Sequence, residues 1–499
     1  MTSPLLRLLV PASLVLLTAA MPAGAALQQA PAFGARLAPA SLPDLCHQYD
    51  ADRGALYRLY RYPFTARGIE ARLDLGRAWL ARLDGLAFEE LERSQQLDWL
   101  LLRDQVEHDM RELETAHARE LEVAPYVAFA PALVELLETR SDRRLPELES
   151  GDRAREVAEV LAAASASIEG LRRAWEERDE EPEDGADAAA TDLPELTAST
   201  ARRTAREVGR LRSALASWYG LGAEYDPLFT WWCEAPWRAL EDDLADYEDF
   251  LEREVGGIDP DDEELLLGDP IGREALLDAL RHERIAYTPE ELLELARVEL
   301  DWCTERRREA AAAMGHGDDW RAAQEAVRSL HVEPGEQAAL IVELADEATE
   351  WLVSRDLLYV PELAEAAWRL NMMSPERQRY TPYFTGGEVV SIAYPTAGMD
   401  HGDKLQSMRG NNRHFSRATV HHELIPGHHL QGYYAQRWAG HRDMFRTPFL
   451  VEGWALYWEL RLWDLGFQEG PEDELGMLFW RSHRAARILF SLNFHLGLW

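Results

Sequence analysis

The 499-residue chain carries 89 acidic against 52 basic residues, a formal net charge of −37, with 46% hydrophobic residues. That apolar content can bury a sizeable core, and the acid excess excludes nucleic acid as a partner, because binding phosphate needs a basic face. It also argues against an anionic membrane surface, and reads as a solvated exterior that keeps the protein soluble.

At the N-terminus Arg7 precedes an apolar run from Leu8 to about Ala20, followed by Ala23-Gly24-Ala25. A basic start, an apolar stretch too short to span a bilayer and an A-x-A site predict a signal peptide over residues 1–26. The expected protein is exported, periplasmic or secreted, with no stable membrane insertion once the signal is cleaved. Cys46, Cys233 and Cys303 lack metal-type spacing and can form at most one disulfide. A metal centre in this chain must therefore be built from His and Glu.

From Leu42 to about Arg178, Leu and Ala recur at helical spacing among Glu and Arg, with Leu91, Leu97, Leu101 and Leu102 as a sample stripe. The pattern predicts long antiparallel helices with that stripe in the core. The acidic stretch 176–191, with Pro182 and Gly185, reads as a solvated loop. Helical pattern resumes at about Ala198, and Trp231, Trp232 and Trp237 are expected as packing anchors. Thr288-Pro289-Glu290-Glu291 supplies an N-cap, a proline for the first turn and a capping-box Glu, which starts a helix. A further helix is expected from Glu336 to Arg355.

The pattern changes at Ser374, where Pro382, Gly386, Gly387, Pro395 and Gly398 punctuate Val389, Val390, Ile392 and Tyr394. One or two short strands are expected here. They form either an edge that takes an extended peptide by strand addition, with Tyr394 as a substrate contact, or a small hairpin that only packs on the helices.

The chemistry concentrates in residues 411–463, where His422-Glu423-Leu424-Ile425-Pro426-Gly427-His428 is followed 24 positions later by Glu452. Two neutral imidazoles and a carboxylate suit a borderline-soft cation, and a second carboxylate can take a proton from an activated water. The spacing differs from H-E-x-x-H, whose His residues share a helical face. At i and i+6 the two imidazoles of a straight helix would point roughly 240° apart. Pro426 and Gly427 supply the remedy, a kink or bulge that swings His428 back towards His422. The pairs His422/His429 and His421/His428 are ranked lower, since each sits roughly 10 Å apart along an axis. Glu452 completes the ligands, Glu459 one face on can orient an imidazole, and Tyr457 is a candidate oxyanion donor.

HHELIPGHHLQ followed by VEGWALYWE resembles the DUF885 proteins, a group of bacterial, mostly helical, zincin-like peptidases distantly similar to gluzincins. The motifs that match residue by residue fall in the last quarter of the chain. The resemblance implies one zinc ion on His422, His428 and Glu452, with Glu423 as general base. It implies a large helical zincin-like fold with a cleft and a small β element beside the metal-binding helix. Residues 27–499 are then one peptidase domain, with the metal site in 374–499. Similar proteins carry Arg-x-x-Arg and a downstream His in the final segment, which gives Arg484 and Arg487 as substrate-binding and His495 as catalytic. Ser491-Leu492-Asn493 departs from the Asp-Thr-Gly common there, and ending at Trp499 in mid-helix suggests a truncated C-terminus.

These observations predict an exported zinc-dependent peptidase acting on peptide substrates by metal-activated water and a Glu base. The alternatives are a metal-dependent hydrolase of another amide or ester and a non-catalytic helical metal-binding protein.

Overall fold

The computed structural model describes residues 41–141, 151–178, 193–259, 262, 265 and 267–499. The expected signal peptide and nearly all of the acidic segment lie outside the described residues.

The described residues open with three helices, α1 (Leu42–Leu59), α2 (Ala66–Asp84) and α3 (Arg93–Val123). Ser41 and Asp44 close a capping box on α1, and the three helices bury Cys46, Tyr49, Trp79, Leu83, Leu102 and Val106 between them. Of the expected stripe, Leu102 is fully buried while Leu97 is 44% exposed. The helix lies at the edge of this small core and buries one narrow face.

A second core joins α4 (Ala130–Ser141), α5 (Gly151–Glu177), α6 (Ala198–Tyr225) and α7 (Pro227–Phe250) around Trp175, Trp218, Trp237 and Tyr247. Asp226 caps α7 and Pro227 opens it, where a missing N–H costs nothing. Trp237 anchors the packing as expected, but Trp231 is 80% exposed and anchors nothing. Six residues apart on one helix, the two rings point to different sides.

Next come α8 (Gly272–His282), α9 (Pro289–Ala313), α10 (Trp320–Arg328), α11 (Gln337–Ser354) and α12 (Glu362–Ala367). The Thr288/Glu291 capping box and Pro289 start α9 where the sequence places them. All three cysteines are buried and free.

The β element is two strands, β1 (Arg369–Met372) and β2 (Val389–Ile392), paired in parallel with Leu370 opposite Val390. It is therefore not a hairpin. A crossover containing the short helix α13 (Pro375–Gln378) separates the strands. Thr385 exchanges two backbone hydrogen bonds with Ser391 and closes the outer side of β2. The edge left for strand addition belongs to the exposed β1.

The chain ends with α14 (His401–Gly410), α15 (Arg413–Glu423), α16 (His428–Arg437), α17 (Pro448–Asp464) and α18 (Pro471–His495). Among the described residues no helix is long and apolar enough to cross a membrane. The fold is mostly α, and its third large core gathers Leu344, Val390, Val420, Leu424, Leu430 and Trp458 around the break between α15 and α16.

Candidate metal centre

Helix α15 is held on nearly every side. Asn412 caps it by accepting from the N–H groups of His414 and Phe415 at 3.0 and 3.1 Å. Residues Phe415 to His422 are then all buried, and the helix packs against α11, α17 and α18. A helix buried all round needs its polar groups matched inside the protein.

The helix ends at Glu423, and the sequence-predicted kink proves to be a full break. Leu424 leaves helical geometry, the Ile425–Pro426 peptide is cis, and α16 restarts at His428. A Cβ at position 427 would lie 1.7 Å from the carbonyl oxygen of His422, so only glycine lets the chain turn this tightly over the helix end. The Gly427 N–H donates to the His421 carbonyl at 2.9 Å, and Trp454 of α17 donates through its indole N–H to Pro426 O at 2.8 Å.

This turn brings the two imidazoles together, their ring centroids 4.6 Å apart and their planes 88° apart. Glu452 of α17 lies between them, Oε2 at 3.4 Å from His422 Nε2 and Oε1 at 3.6 Å from His428 Nε2. One ligating atom from each residue falls within 4.8 Å of the others. Ligands bound at roughly 2.0–2.1 Å in a tetrahedron stand about 3.4 Å from one another, so the three residues fit one such ion. Behind them Glu459, fully buried, sets its Oε1 at 2.6 Å from His422 Nδ1. That contact fixes which imidazole nitrogen faces the carboxylate of Glu452.

The alternative histidines turn away. His421 is buried edge-on against Phe467, and burial lowers its pKa to about 4. His429 Nε2 contacts the Ala364 carbonyl at 2.6 Å.

The electrostatics follow from burial and the two carboxylates. Burial opposes a charged His422 most strongly, yet Glu452 and Glu459 outweigh it and raise its pKa to about 9. His428, mainly through burial and then the neighbouring charge of His422, is lowered. Glu452 is lowered chiefly by its hydrogen bond from His422. Burial raises Glu423, the proposed base, while His422 and the Gly386 backbone partly offset it. A raised carboxyl beside a cleft suits proton transfer near neutral pH.

Two further groups at the site drew no assignment from the sequence. A Cβ on Gly386 would come within 2.3 Å of Glu423 Oε2, and Gly387 N–H donates to the Glu423 carbonyl at 3.1 Å. The glycine pair thus forms the wall against which Glu423 rests. Its only signal was the Gly-Gly doublet, read as punctuation beside the expected strands. Trp454 was visible in the motif but carried no role. A cavity of about 360 Å³ opens over the centre, lined by Gly386, Gly387, His428 and Glu452. A larger one of about 810 Å³ touches α15 at Phe415, by its opposite end.

The remaining expected residues are not gathered at the triad. Arg484 stands behind it, its Nη2 donating to Glu459 Oε1 at 2.6 Å. Arg487 is exposed and in no salt bridge among the described residues. His495 lies eleven positions beyond Arg484, about 16 Å along α18, and its Nδ1 accepts the Ile271 N–H at 3.3 Å. Tyr457 is 55% exposed, and five positions after Glu452 it points about 140° away around the helix. Tyr394 falls two residues past β2, its N–H on the side chain of Gln378 at 2.9 Å. Of the three residues expected from α18, Arg484 thus meets a buried partner, His495 holds a backbone N–H and Arg487 lies in solvent.

Fold and site define a mostly helical protein whose buried central helix breaks to assemble a His2Glu candidate metal centre. The chain belongs to the DUF885 family, described as bacterial protein of unknown function, whose profile matches residues 57–499. A solved "putative lipoprotein of unknown function" from Shewanella oneidensis superposes with a TM-score of 0.63 at 14% identity, covering 91% of this chain and 84% of that one. This likeness shows the fold. A "putative lipoprotein" from Colwellia psychrerythraea matches with a TM-score of 0.48 at 14% identity, over 92% and 83% of the two chains. No curated protein matches the sequence.

Proposed function

We propose that this protein is an exported zinc-dependent peptidase. The observation that carries the reading is the spacing of His422 Nε2, His428 Nε2 and the Glu452 carboxylate, which stand 3.4 and 3.6 Å apart across the carboxylate. The two distances run to different oxygens of that carboxylate, and one ligand atom from each residue lies within 4.8 Å of the others, a spacing that suits a shared ion. Export is supported by the N-terminal signal pattern and by the lipoprotein description of the Shewanella oneidensis structure.

When bound, a zinc ion supplies Lewis-acid chemistry, polarising a carbonyl and acidifying water. The rest falls to the chain. Glu423, in contact with the wall of the cavity, takes a proton from the attacking water. As the C–N bond breaks, the same carboxyl returns the proton to the leaving amine, so the side chain ends each cycle as it began. Glu459 keeps His422 in the tautomer that presents Nε2 to the site. Glu452, with its side chain 65% exposed, lies at the mouth, where substrate can enter.

Glu423→Gln tests the assignment. Zinc content, measured by elemental analysis, should stay near one per chain, while hydrolysis of a peptide mixture drops by about 10²–10⁴-fold. Full turnover by this variant, or a parent protein that binds no zinc, would overturn the reading.

A further inference from the structure

The cavity over the triad is one end of a groove that runs along α16. Its floor descends from His428 past Gly432, which has no side chain to fill it, to Arg437, and Arg446 lines it beside Glu452. Nine helical steps make this roughly 13 Å, the reach of about four extended residues.

Its charges are unevenly spent. Glu388 is taken by Arg369 at 2.6 Å, and Glu452 is committed to the triad. Among the described residues Arg446 pairs only with the exposed Asp443, at 3.2 Å. Arg437 has no carboxylate within ion-pair distance among the described residues. Its Nη1 donates to the Tyr433 carbonyl at 2.9 Å, and its guanidinium stacks 3.5 Å over the Tyr433 ring. That stacking leaves the rest of a planar fork open. Neither arginine sits on a free loop. Arg437 ends a helix, and the turn Gly440–Phe445 before Arg446 is pinned to the N-terminal helices. Arg442 Nε donates there to Asp98 at 2.7 Å, and Met444 and Phe445 pack on the core of α1 to α3. On a chain of net charge −37, a groove that holds two guanidiniums, and a divalent ion when zinc is bound, focuses field on an anion.

We infer that the groove selects anionic peptides, holding a substrate carboxylate on Arg446 and Arg437 within about four residues of the bond presented to the triad. The carboxylate belongs either to the peptide's own C-terminus or to an acidic side chain. This rests on the peptidase reading but uses residues outside the expected Arg484 and Arg487.

The test is binding of matched short peptides to zinc-loaded Glu423→Gln protein by calorimetry. One pair differs as C-terminal acid and amide, the other as internal Asp and Asn. Loss of the carboxylate that is read should weaken binding about tenfold or more, and whichever pair responds identifies its source. The double variant Arg437→Gln, Arg446→Gln should lose that preference, both residues being surface groups whose removal leaves the core intact. Equal affinity within both pairs, or binding of none of the peptides, overturns the inference. Turnover of the same peptides by the parent separates the two ideas. Hydrolysis without preference sinks the selection alone, and preference in binding without hydrolysis sinks the peptidase reading alone.

Discussion

Helix α15 carries a buried ionic cluster at each end, and the two are built to opposite rules. At its start Asp473 receives His414 Nδ1 at 2.6 Å, the guanidinium of Arg417 and the backbone N–H of Glu469 at 3.1 Å. Arg417 also reaches Glu347 at 2.5 Å and lies over the Phe467 ring. Every charge there has a partner, which is what a structural cluster needs. At its end His422, Glu452, Glu459 and Arg484 leave Glu459 Oε2, Arg484 Nη1 and His428 Nδ1 buried without a hydrogen bond. The difference separates a clasp from a site. A cluster that serves stability alone closes on itself, whereas this end turns His422 Nε2, His428 Nε2 and the Glu452 carboxylate towards one another and leaves the polar atoms behind them unmatched.

The largest effect that would test this contrast is Asp473→Asn. Removing the shared carboxylate from a closed buried cluster leaves His414 without its partner and Arg417 dependent on Glu347, and should cost about 3–5 kcal/mol of stability, read as a lower denaturant midpoint. Zinc affinity, measured on protein that remains folded, should stay near the parent value. A large loss of affinity with little loss of stability would reverse the assignment of the two ends.

Glu459→Gln should show instead in metal binding. Its carboxylate orients His422, so zinc affinity should fall about 10–100-fold in competition with a chelator. Stability of the metal-free protein should fall as well, because Arg484 and His422 lose the carboxylate they share, so the loss of zinc affinity is what sets this variant apart from Asp473→Asn.

The ends should also respond to pH with opposite sign. Burial alone would raise Asp473, but the hydrogen bond from His414 and the charge of Arg417 outweigh it and hold its pKa below the ordinary value. A depressed carboxyl stabilises above its unfolded pKa of about 3.9, and that stabilisation fades as pH falls through the folded value. His422 is raised to about 9 in the metal-free protein, so its contribution is complete below about 6.5 and is lost as pH climbs through 9. Zinc must displace that proton. Near pH 7.5 zinc binding should release about one proton, measured by calorimetry in buffers of different ionisation heat. Release of none would mean that His422 is already neutral.

How much of this was legible in the sequence differs between the two ends as well. The site announced itself locally: His422, Glu423 and His428 around Pro426-Gly427, with Glu452 and Glu459 spaced for one face of a helix. Local spacing and backbone chemistry carry that information. Arg417 and Asp473 went unread because they lie 56 positions apart, and nothing in either neighbourhood marks the other. The same holds for Gly386 against Glu423, and for β1, where Arg369–Met372 alternates polar and apolar over only four residues, too short a run to mark a strand without β2 beside it in parallel. The helices were readable where caps are local, as at Thr288 and Glu291. The roles given to Tyr457, Arg487 and His495 depended on which side of a helix meets the cleft, and tertiary packing decides that.

The smallest effect probes the turn that joins the two imidazoles. Trp454 sits two residues after Glu452 and donates to Pro426 O at 2.8 Å, so one hydrogen bond ties the helix that carries the carboxylate to the break that carries the histidines. Trp454→Phe keeps most of the ring packing and removes the donor. A single neutral hydrogen bond is worth about 1 kcal/mol, and stability should fall by that amount. If the bond also sets the register between Glu452 and the imidazoles, zinc affinity should fall with it, by no more than about tenfold. A stability change with unaltered zinc affinity would mean that Gly427, packed on the His422 carbonyl, holds the break closed without help from α17.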